Sequence, residues 1–370
     1  MSTVGRAQVI AYRYAAHDLG PGGGDGGAVL ATGLQDYPPG RTAVPALRLR
    51  TGTVPEGPLV LVHSIRGALH LHRAADLPAL AAALRVDDAR DLPPQTAGPF
   101  AGSLADAGIA YGAALDEVAA AMREAVAEHG PLTKGELSAA VSPRVAEPLA
   151  PWCRRCGANH VQDLLFRLAT LQAGLVFDVD EAEPGTSRFR AADPFTPADP
   201  AEARAELTRA FLTASGPSRP AQLASWLGLT PAAARRWWDL LADELTPVTV
   251  DGTGYRAHTD NLDALKAAPA PEGVRLLPPY DPVTELADRE LLVPDAAHRK
   301  RVWRSVANPG VLLVDGEIAG VWRQKRSRGR LTLRVEPFTA LPAARRTETE
   351  RDATVLADHA GASGFDLAFD

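Results

Sequence analysis

Apolar and polar positions along this chain follow two different periods. Residues 115–129 carry a stripe of apolar side chains that returns every three or four positions, as in a helix with one buried face. Short apolar runs at residues 58–64 and 68–72 have the composition of strands and are separated by the turn Arg66-Gly67. The pattern therefore predicts a mixed α+β fold.

Three sections of the chain predict the same order of elements, three helices followed by a strand-rich wing. The predicted helices lie at residues 8–17, 29–33, 42–50, 115–129, 133–140, 161–173, 201–214, 220–227 and 230–244, and the predicted wing strands at 58–64, 68–72, 175–179, 248–250 and 255–258. Short helices joined by a glycine-containing turn are typical of helix-turn-helix motifs. We predict three tandem winged helix-turn-helix modules.

The chain after the third section is rich in strands. From Val274 to Phe338, apolar runs are broken by tight turns at Asp315-Gly316 and at residues 327–329, which predicts a small antiparallel β region. From Arg345 onward we expect a surface helix followed by loose residues. The predicted boundaries are 1–90, 115–182 and 198–265 for the winged helices, 272–345 for the β region and 346–370 for the C-terminal tail.

The composition is that of an ordinary globular protein. The 370 residues are 46% hydrophobic and 23% charged, enough for two or three modules. No run approaches the roughly 18 apolar residues of a membrane span, and the N-terminal residues lack the basic-then-apolar order of a secretion signal. We expect a cytoplasmic protein with no membrane partner, and a monomer.

Charge is distributed unevenly along the chain. The net charge is −6, yet residues 321–346 carry eight basic side chains against one acidic side chain, Glu336. A local excess of positive charge on an acidic chain is expected where one face meets a polyanion such as DNA. No nucleotide or flavin motif is visible, so we expect no cofactor.

Five motifs are distributed over most of the chain. They are L-Q-D at 34–36, H-S-I-R-G-A-L-H-L at 63–71, G-P-L-T-K-G-E-L at 130–137, L-L-P-P-Y-D-P at 276–282 and V-D-G-E-I-A-G-V-W-R at 314–323. Through them the chain resembles, over residues 5–340, the winged-helix proteins of the AlkZ-like and YcaQ-like DNA glycosylases. The resemblance implies a basic cradle for double-stranded DNA, a C-terminal hairpin that probes the minor groove, and hydrolytic release of bulky or cross-linked N-alkylated purines.

The resemblance also implies a water-holding motif, either glutamine-apolar-glutamine or glutamine-apolar-aspartate. Here the corresponding residues are Gln35-Asp36-Tyr37, so the pair is not intact in either register. In the catalytic interpretation Gln35 orients the attacking water and Asp36 accepts its proton, because Pro38-Pro39 turns the backbone there. The alternative is that Gln35 and Asp36 cap the next helix.

Basic residues in turns and recognition helices supply the candidate DNA contacts. The predicted contacts are Arg66, His70, Lys134, Arg235, Arg236, Arg323, Lys325, Arg326, Arg328 and Arg330. The run at 323–330 brackets a tight turn, which places several cations beside phosphates or in a narrow minor groove. A solvated charged hairpin is the alternative there, and a histidine on a strand is often structural.

Two cysteines and a histidine lie close together in C-R-R-C-G-A-N-H at residues 153–160. Cys153, Cys156 and His160 have the spacing of three zinc ligands, without an obvious fourth. A dithiol redox site is a second possibility, and two reduced thiols in a loop between helices are a third. We expect the third and assign no metal site.

Together these patterns predict a monofunctional DNA glycosylase that hydrolyses the N-glycosidic bond of N-alkylated or cross-linked purines. The alternative is a non-catalytic winged-helix DNA-binding protein, a regulator or lesion sensor, that kept the DNA cradle and lost the water-holding pair. An enzyme acting on a small molecule would instead have a closed pocket and no affinity for DNA.

Overall fold

A computed structural model describes residues 2–180 and 186–370, with only the backbone of residues 98 and 99. These residues form two compact units. The first unit contains residues 2–57, 209–222 and 242–370, and the second contains 58–180, 186–208 and 223–241. The expected boundary at residue 182 lies outside the described residues. The division into five sections therefore stays a prediction.

The chain has the α+β fold that the apolar pattern predicted. The helices are α1 (Arg6–Ala16), α2 (Gly27–Thr32), α3 (Ala43–Thr51), α4 (Leu77–Ala83), α5 (Pro94–Asp106), α6 (Tyr111–His129), α7 (Lys134–Val141), α8 (Asp163–Gln172), α9 (Pro200–Ser215), α10 (Pro220–Leu227), α11 (Pro231–Asp239), α12 (Leu262–Ala267), α13 (Arg289–Leu292), α14 (Ala296–Val302) and α15 (Ala343–His359). The strands are β1 (Ser2–Val4), β2 (Leu34–Gln35), β3 (Leu59–His63), β4 (Leu69–Arg73), β5 (Trp152–Cys153), β6 (Ala158–Asn159), β7 (Leu175–Asp178), β8 (Arg188–Ala191), β9 (Leu245–Val250), β10 (Thr253–His258), β11 (Val274–Leu277), β12 (Gly310–Val314), β13 (Glu317–Ser327), β14 (Arg330–Pro337) and β15 (Phe365–Phe369). The helices that periodicity predicted are present, with their ends shifted by a few residues.

Local capping signals set where two helices begin. The Thr133 hydroxyl accepts from the backbone N–H of Glu136, whose carboxylate accepts from the Thr133 N–H at 2.8 Å, so the T-K-G-E sequence forms a capping box. Thr230 likewise accepts from the N–H of Ala233, and Pro231 occupies the first helical position of α11. Both predicted helix starts are confirmed.

The second unit is built around α6. Its predicted apolar stripe is buried, including Leu115, Val118 and Met122, in a core that also contains Leu165 of α8 and Phe189 of β8. The predicted hairpin of this unit pairs β3 with β4 antiparallel. A second hairpin pairs β7 with β8. Each hairpin follows helices along the chain, as the sequence predicted.

The first unit contains two sheets. A five-stranded sheet has the order β11-β12-β13-β14-β15, and α15 packs on it through Ala353 and Leu356 against a core that includes Trp322 and Leu333. A three-stranded sheet has the order β1-β9-β10 and packs against Val9 and other residues of α1. The sheet order places the β13–β14 hairpin between β12 and β15.

Both predicted turns of the C-terminal β region are found. Asp315 and Gly316 have φ of 47° and 80°, and Arg328 and Gly329 have φ of 51° and 77°. Left-handed φ at both central residues defines a type I′ turn, whose twist matches that of the flanking strands. The turn at residues 328–329 therefore leaves β13 and β14 in register to the hairpin tip, where Ser327 pairs with Arg330.

The end of the chain differs from the expected surface helix and loose residues. Several residues of α15 are buried, including Asp352 and Ala353. The segment Phe365–Phe369 forms β15, which pairs parallel with β14. Its F-D-L-A-F sequence alternates with the period of a half-buried strand, so that apolar side chains pack on the sheet core. The prediction failed because a strand this short forms only against a partner strand that the local sequence does not reveal.

Candidate active site and DNA-binding surface

The Asp36 carboxylate fixes the polar corner that precedes α3. Its Oδ1 accepts from the backbone N–H groups of Arg41, Thr42 and Ala43 at 3.1, 2.8 and 3.1 Å. Its Oδ2 accepts from the N–H of Gly40. These donors lie just before α3 and in its first turn, where backbone N–H groups have no partner within a helix. Asp36 therefore holds the start of this helix.

This geometry favours the helix-cap interpretation of Asp36. A carboxylate offers about four lone-pair sites, and backbone N–H groups use most of them, three donating to Oδ1 and one to Oδ2. The side chain is only 3% exposed, which leaves it no open face toward a water molecule in the corner. That Asp36 accepts the proton of a water molecule stays a prediction. Its hydrogen bonds to the backbone show that it holds the start of α3.

Gln35 and Tyr37 flank Asp36 and have different surroundings. Gln35 is half-buried, and its backbone carbonyl accepts from the Thr42 hydroxyl at 2.9 Å. Tyr37 is 57% exposed, and its backbone N–H donates to the same hydroxyl at 3.0 Å. Thr42 thus ties together the residues on both sides of Asp36, and the phenol of Tyr37 stands in solvent at the corner.

Tyr280 also lies at the corner, although no role was predicted for it. Its ring is edge-on to that of Tyr37, with centroids 5.5 Å apart and planes at 83°. Burial raises the pKa of Tyr280, and nearby Tyr37 and Glu285 add to the shift. The phenol therefore stays protonated at neutral pH and is able to donate a hydrogen bond. The signal for Tyr280 was present in the L-L-P-P-Y-D-P motif at residues 276–282.

A buried ion pair fixes the segment that carries Tyr280. Arg50, in the last turn of α3, lies 2.8 Å from the Asp281 carboxylate, and neither side chain is exposed. Arg50 also donates to the carbonyls of His17 and Ala46 at 3.0 and 2.7 Å. Because Asp36 holds the start of α3 and Arg50 ties its end to Asp281, this helix links the two tyrosines of the corner.

Two predicted DNA contacts of the second unit line one cavity of 270 Å³. Arg66 has a left-handed backbone, with φ of 58°, and donates to the carbonyl of Trp226 at 2.8 Å. Arg236 is exposed and pairs with Asp91 at 2.6 Å. The structure therefore brings these two arginines to the same cavity, and each already has a partner within the protein.

The other predicted contacts of this unit differ in accessibility. His70 is buried and its Nδ1 donates to the carbonyl of Ala68 at 2.9 Å. Burial lowers the pKa of His70 well below its usual value, so the ring is neutral and has no free surface for a phosphate. Lys134 and Arg235 are exposed, and their ion pairs with Asp163 and Asp239 measure 2.9 and 2.8 Å. The burial of His70 does not favour a contact with DNA, whereas the side chains of Lys134 and Arg235 remain accessible.

The β13–β14 hairpin presents the basic run of residues 323–330 to solvent. From Gln324 to Arg330 every residue is exposed. Arg323 and Arg326 donate to backbone carbonyls of neighbouring loops. In the part of the chain that the structure describes, Lys325 and Arg328 make no ion pair. The hairpin tip therefore carries cations that are available to a ligand.

Strand β15 places acidic side chains beside this hairpin. Asp366 lies 2.6 Å from Arg330, and Asp370 lies 3.6 Å from Arg334. The count of charges in residues 321–346 did not include these acids, since each lies 36 residues after the arginine that it pairs with. They lower the positive charge at the base of the hairpin and leave the excess at its tip.

No helix among the described residues is long and apolar enough to cross a membrane.

Comparison with known proteins places this α+β chain in the class of DNA glycosylases. The family model described as "DNA glycosylase AlkZ-like" matches residues 40–359. The chain therefore belongs to the AlkZ-like family of DNA glycosylases. The matched region begins at Gly40, so the Gln35-Asp36-Tyr37 segment lies just before it.

Two similar proteins come from Streptomyces sahachiroi. An interstrand DNA cross-link repair glycosylase is 33% identical over 134 residues, which are 34% of this chain and 35% of the relative, so the chain spans about a third of that relative's length. The solved structure of the Streptomyces sahachiroi DNA glycosylase AlkZ is 22% identical, covers 100% of both chains and has a TM-score of 0.73. The second likeness is one of fold.

Proposed function

We propose that this protein is a monofunctional DNA glycosylase that releases N-alkylated or cross-linked purines from double-stranded DNA. The observation that carries the proposal is the family match over residues 40–359. The relative that is named an interstrand cross-link repair glycosylase suggests the substrate class. The exposed basic hairpin and the polar corner before α3 supply the two kinds of surface that this activity needs.

We propose that the fold contains three tandem winged helices. The order of elements supports this, because α1–α3 precede β3–β4, α6–α8 precede β7–β8 and α9–α11 precede β9–β10. In each case three helices are followed along the chain by an antiparallel hairpin, which is the order of a winged helix-turn-helix.

The chemistry of the substrate limits what the corner must do. A purine alkylated at N7 or N3 is cationic and leaves as a neutral base, so no general acid is required. The transition state resembles an oxocarbenium ion, by analogy with sugar hydrolysis, and a water molecule must be held beside the anomeric carbon. The protein therefore has to orient one water molecule and accept or relay its proton.

Gln35 and Tyr37 are the residues we assign to this water. The Gln35 amide can both donate to and accept from a water molecule. Tyr37 occupies the position where the family motif has a second glutamine or an aspartate, and its exposed hydroxyl can accept the proton of the water while it passes its own proton to solvent. Asp36 acts through its hydrogen bonds to the backbone, which hold these two residues in position.

Release of free base from alkylated DNA tests the activity. Excess protein is incubated at neutral pH with duplex DNA containing N7-methylguanine, and free base is measured by chromatography. We expect release by the wild-type protein, loss of release for Gln35→Ala and slower release for Tyr37→Phe. Salt-sensitive DNA binding without release, at any protein excess, would instead establish the non-catalytic DNA binder.

The hairpin tip supplies DNA contacts that can be tested separately. We propose that Lys325 and Arg328 contact phosphates or the minor groove, because both are exposed and neither is ion-paired within the described chain. Each phosphate contact contributes about 0.9 to the slope of log affinity against log salt concentration. Lys325→Ala together with Arg328→Ala should therefore reduce the slope by about 2.

A lysine outside the hairpin provides the matched control for this experiment. Lys266 is exposed at the end of α12, so Lys266→Ala removes one cation of the same kind from another surface. We expect it to leave the salt dependence of binding unchanged. If Lys266→Ala and the hairpin variant lower the salt dependence of binding equally, the hairpin is not part of the DNA interface.

In the second unit, Lys134, Arg66, Arg235 and Arg236 are proposed as further phosphate contacts. Lys134, Arg235 and Arg236 are exposed and now pair with carboxylates, which a phosphate can replace with similar geometry. Arg66 offers only part of its guanidinium, because one nitrogen donates to the Trp226 carbonyl.

A further inference from the structure

Cys153, Cys156 and His160 converge in a loop of the second unit that the proposed DNA chemistry does not use. One ligand atom from each residue, two sulfurs and an imidazole nitrogen, lie within 4.8 Å of one another. Both cysteines are free thiols, and Cys156 is exposed. The spacing alone left zinc, redox and inert interpretations open, and the geometry favours zinc.

The backbone around the cysteines forms a small closed ribbon. Strands β5 and β6 pair antiparallel, with Cys153 opposite Ala158. The N–H of Gly157 donates to the carbonyl of Cys153 at 2.9 Å, and Gly157 has φ of 64°, which favours glycine at that position. The backbone N–H groups of Arg155 and Cys156 donate to the Cys153 sulfur. The turn thus places the sulfurs of Cys153 and Cys156 close together and directs backbone N–H dipoles at the Cys153 sulfur.

The tautomer of His160 is fixed by its neighbour. Its Nδ1 lies 2.9 Å from the backbone carbonyl of Val161. A carbonyl oxygen only accepts, so Nδ1 carries the proton and Nε2 has a free lone pair. That Nε2 is buried without a close hydrogen-bond partner among the described residues, and the Cys153 sulfur is the group that interacts with the ring. Histidines that bind metals commonly donate their other ring N–H to a backbone carbonyl in this way.

The distances fit a tetrahedral ion. Zinc bonds to sulfur at about 2.3 Å and to nitrogen at about 2.0 Å, which puts ligand atoms roughly 3.4 to 3.8 Å apart. The three ligand atoms lie at most 4.8 Å apart here. They would therefore have to approach one another by about 1 Å to bind zinc, which small side-chain rotations can supply. Three side chains on a closed turn therefore need little rearrangement to bind one ion.

We propose that Cys153, Cys156 and His160 bind one zinc ion, with water in the fourth position. The first carboxylate that follows His160 in the sequence is Asp163, and it already pairs with Lys134 and Arg167 at 2.9 and 2.8 Å. The ion links the β5–β6 ribbon to the residues that precede α8. Val161 anchors one end of this loop in the core of the unit and Leu149 the other, so zinc cross-links a segment held at both ends.

Cobalt(II) is the probe that tests the site in the full chain. Reduced protein is first dialysed against a chelator and then titrated with cobalt(II). We expect one cobalt per chain, the intense visible absorption of a tetrahedral ion and a sulfur-to-metal charge-transfer band in the near ultraviolet, all displaced by zinc. Absence of the charge-transfer band, or a chain that binds no metal while its thiols are reduced, would overturn the proposal.

Single variants assign the ligands. Cys156→Ser should lose the charge-transfer band of its sulfur and weaken binding, and His160→Gln should lose the tetrahedral spectrum. His129→Gln, which alters an exposed histidine at the end of α6, is the matched control and should bind like the wild-type protein. Zinc should also raise the melting temperature of the wild-type protein and not that of Cys156→Ser. Unchanged spectra and stoichiometry in both ligand variants would show that the ion lies elsewhere.

Discussion

Replacing Asp36 with alanine removes the acceptor of four backbone N–H groups at once. Those of Thr42 and Ala43 are buried, while those of Gly40 and Arg41 are partly accessible and can bind water instead. A buried donor left without a partner costs about 1–3 kcal/mol. Two such donors give an expected loss of about 2–6 kcal/mol in the free energy of unfolding, a large part of the 5–15 kcal/mol typical of a folded domain.

The assay compares stability and catalysis in the same variants. Urea unfolding is followed by tryptophan fluorescence at pH 7 for wild type, Asp36→Ala and Asp36→Asn, and base release is measured at a temperature where each protein is folded. Asparagine keeps one acceptor oxygen, so we expect Asp36→Asn to lose about half as much stability as Asp36→Ala. For both variants, base release per folded molecule should fall less than for Gln35→Ala.

One result would refute this reasoning. If Asp36→Asn unfolds at the wild-type urea concentration and yet releases no base, the carboxylate is needed for the reaction and not for the backbone. Asp36 would then be the proton acceptor, as the catalytic interpretation of the sequence predicts.

Three further predictions follow from contacts within the first unit. Asp281→Asn leaves the buried Arg50 guanidinium without a counter-charge, so urea unfolding should show a loss of about 3–5 kcal/mol, and an unchanged midpoint would contradict it. Burial lowers the pKa of His17 from 6.5 to about 4, so its contribution to stability is complete above pH 6.5 and is lost as the pH falls toward 4. Between pH 6.5 and 5 this loss is about 2 kcal/mol, and a His17→Gln variant should lack that part of the pH dependence. Asp366→Asn releases Arg330 from its ion pair, so DNA affinity measured by fluorescence anisotropy should rise at low salt, whereas unchanged affinity would place Arg330 outside the interface.

Most of the helices were predictable because their signals are local. The capping box at Thr133 and the proline after Thr230 mark helix starts within a few residues of sequence. Strands β1 and β15 were missed because each forms on the edge of a sheet whose nearest strand lies far away in sequence, β9 in one case and β14 in the other. Local composition does not identify such a partner.

The candidate site was predictable in part. The sequence drew attention to Gln35 and Asp36, but a carboxylate beside a turn is equally suited to a proton transfer and to a helix cap. Only the positions of the four N–H groups separate those roles. The pairing of Arg50 with Asp281 joins residues 231 positions apart, and no motif shows which buried arginine meets which aspartate.

The path of the chain has a consequence for how the protein is made. The backbone passes from one unit to the other at residues 57–58, 208–209, 222–223 and 241–242. The first unit contains residues 2–57 and 242–370, so it cannot be completed on the ribosome until residue 370 has been synthesised. The second unit needs residues up to 241 before its own interior is filled. The first unit is therefore still incomplete when every described residue of the second has been synthesised, and a chain that ends at residue 241 contains the second unit but only part of the first.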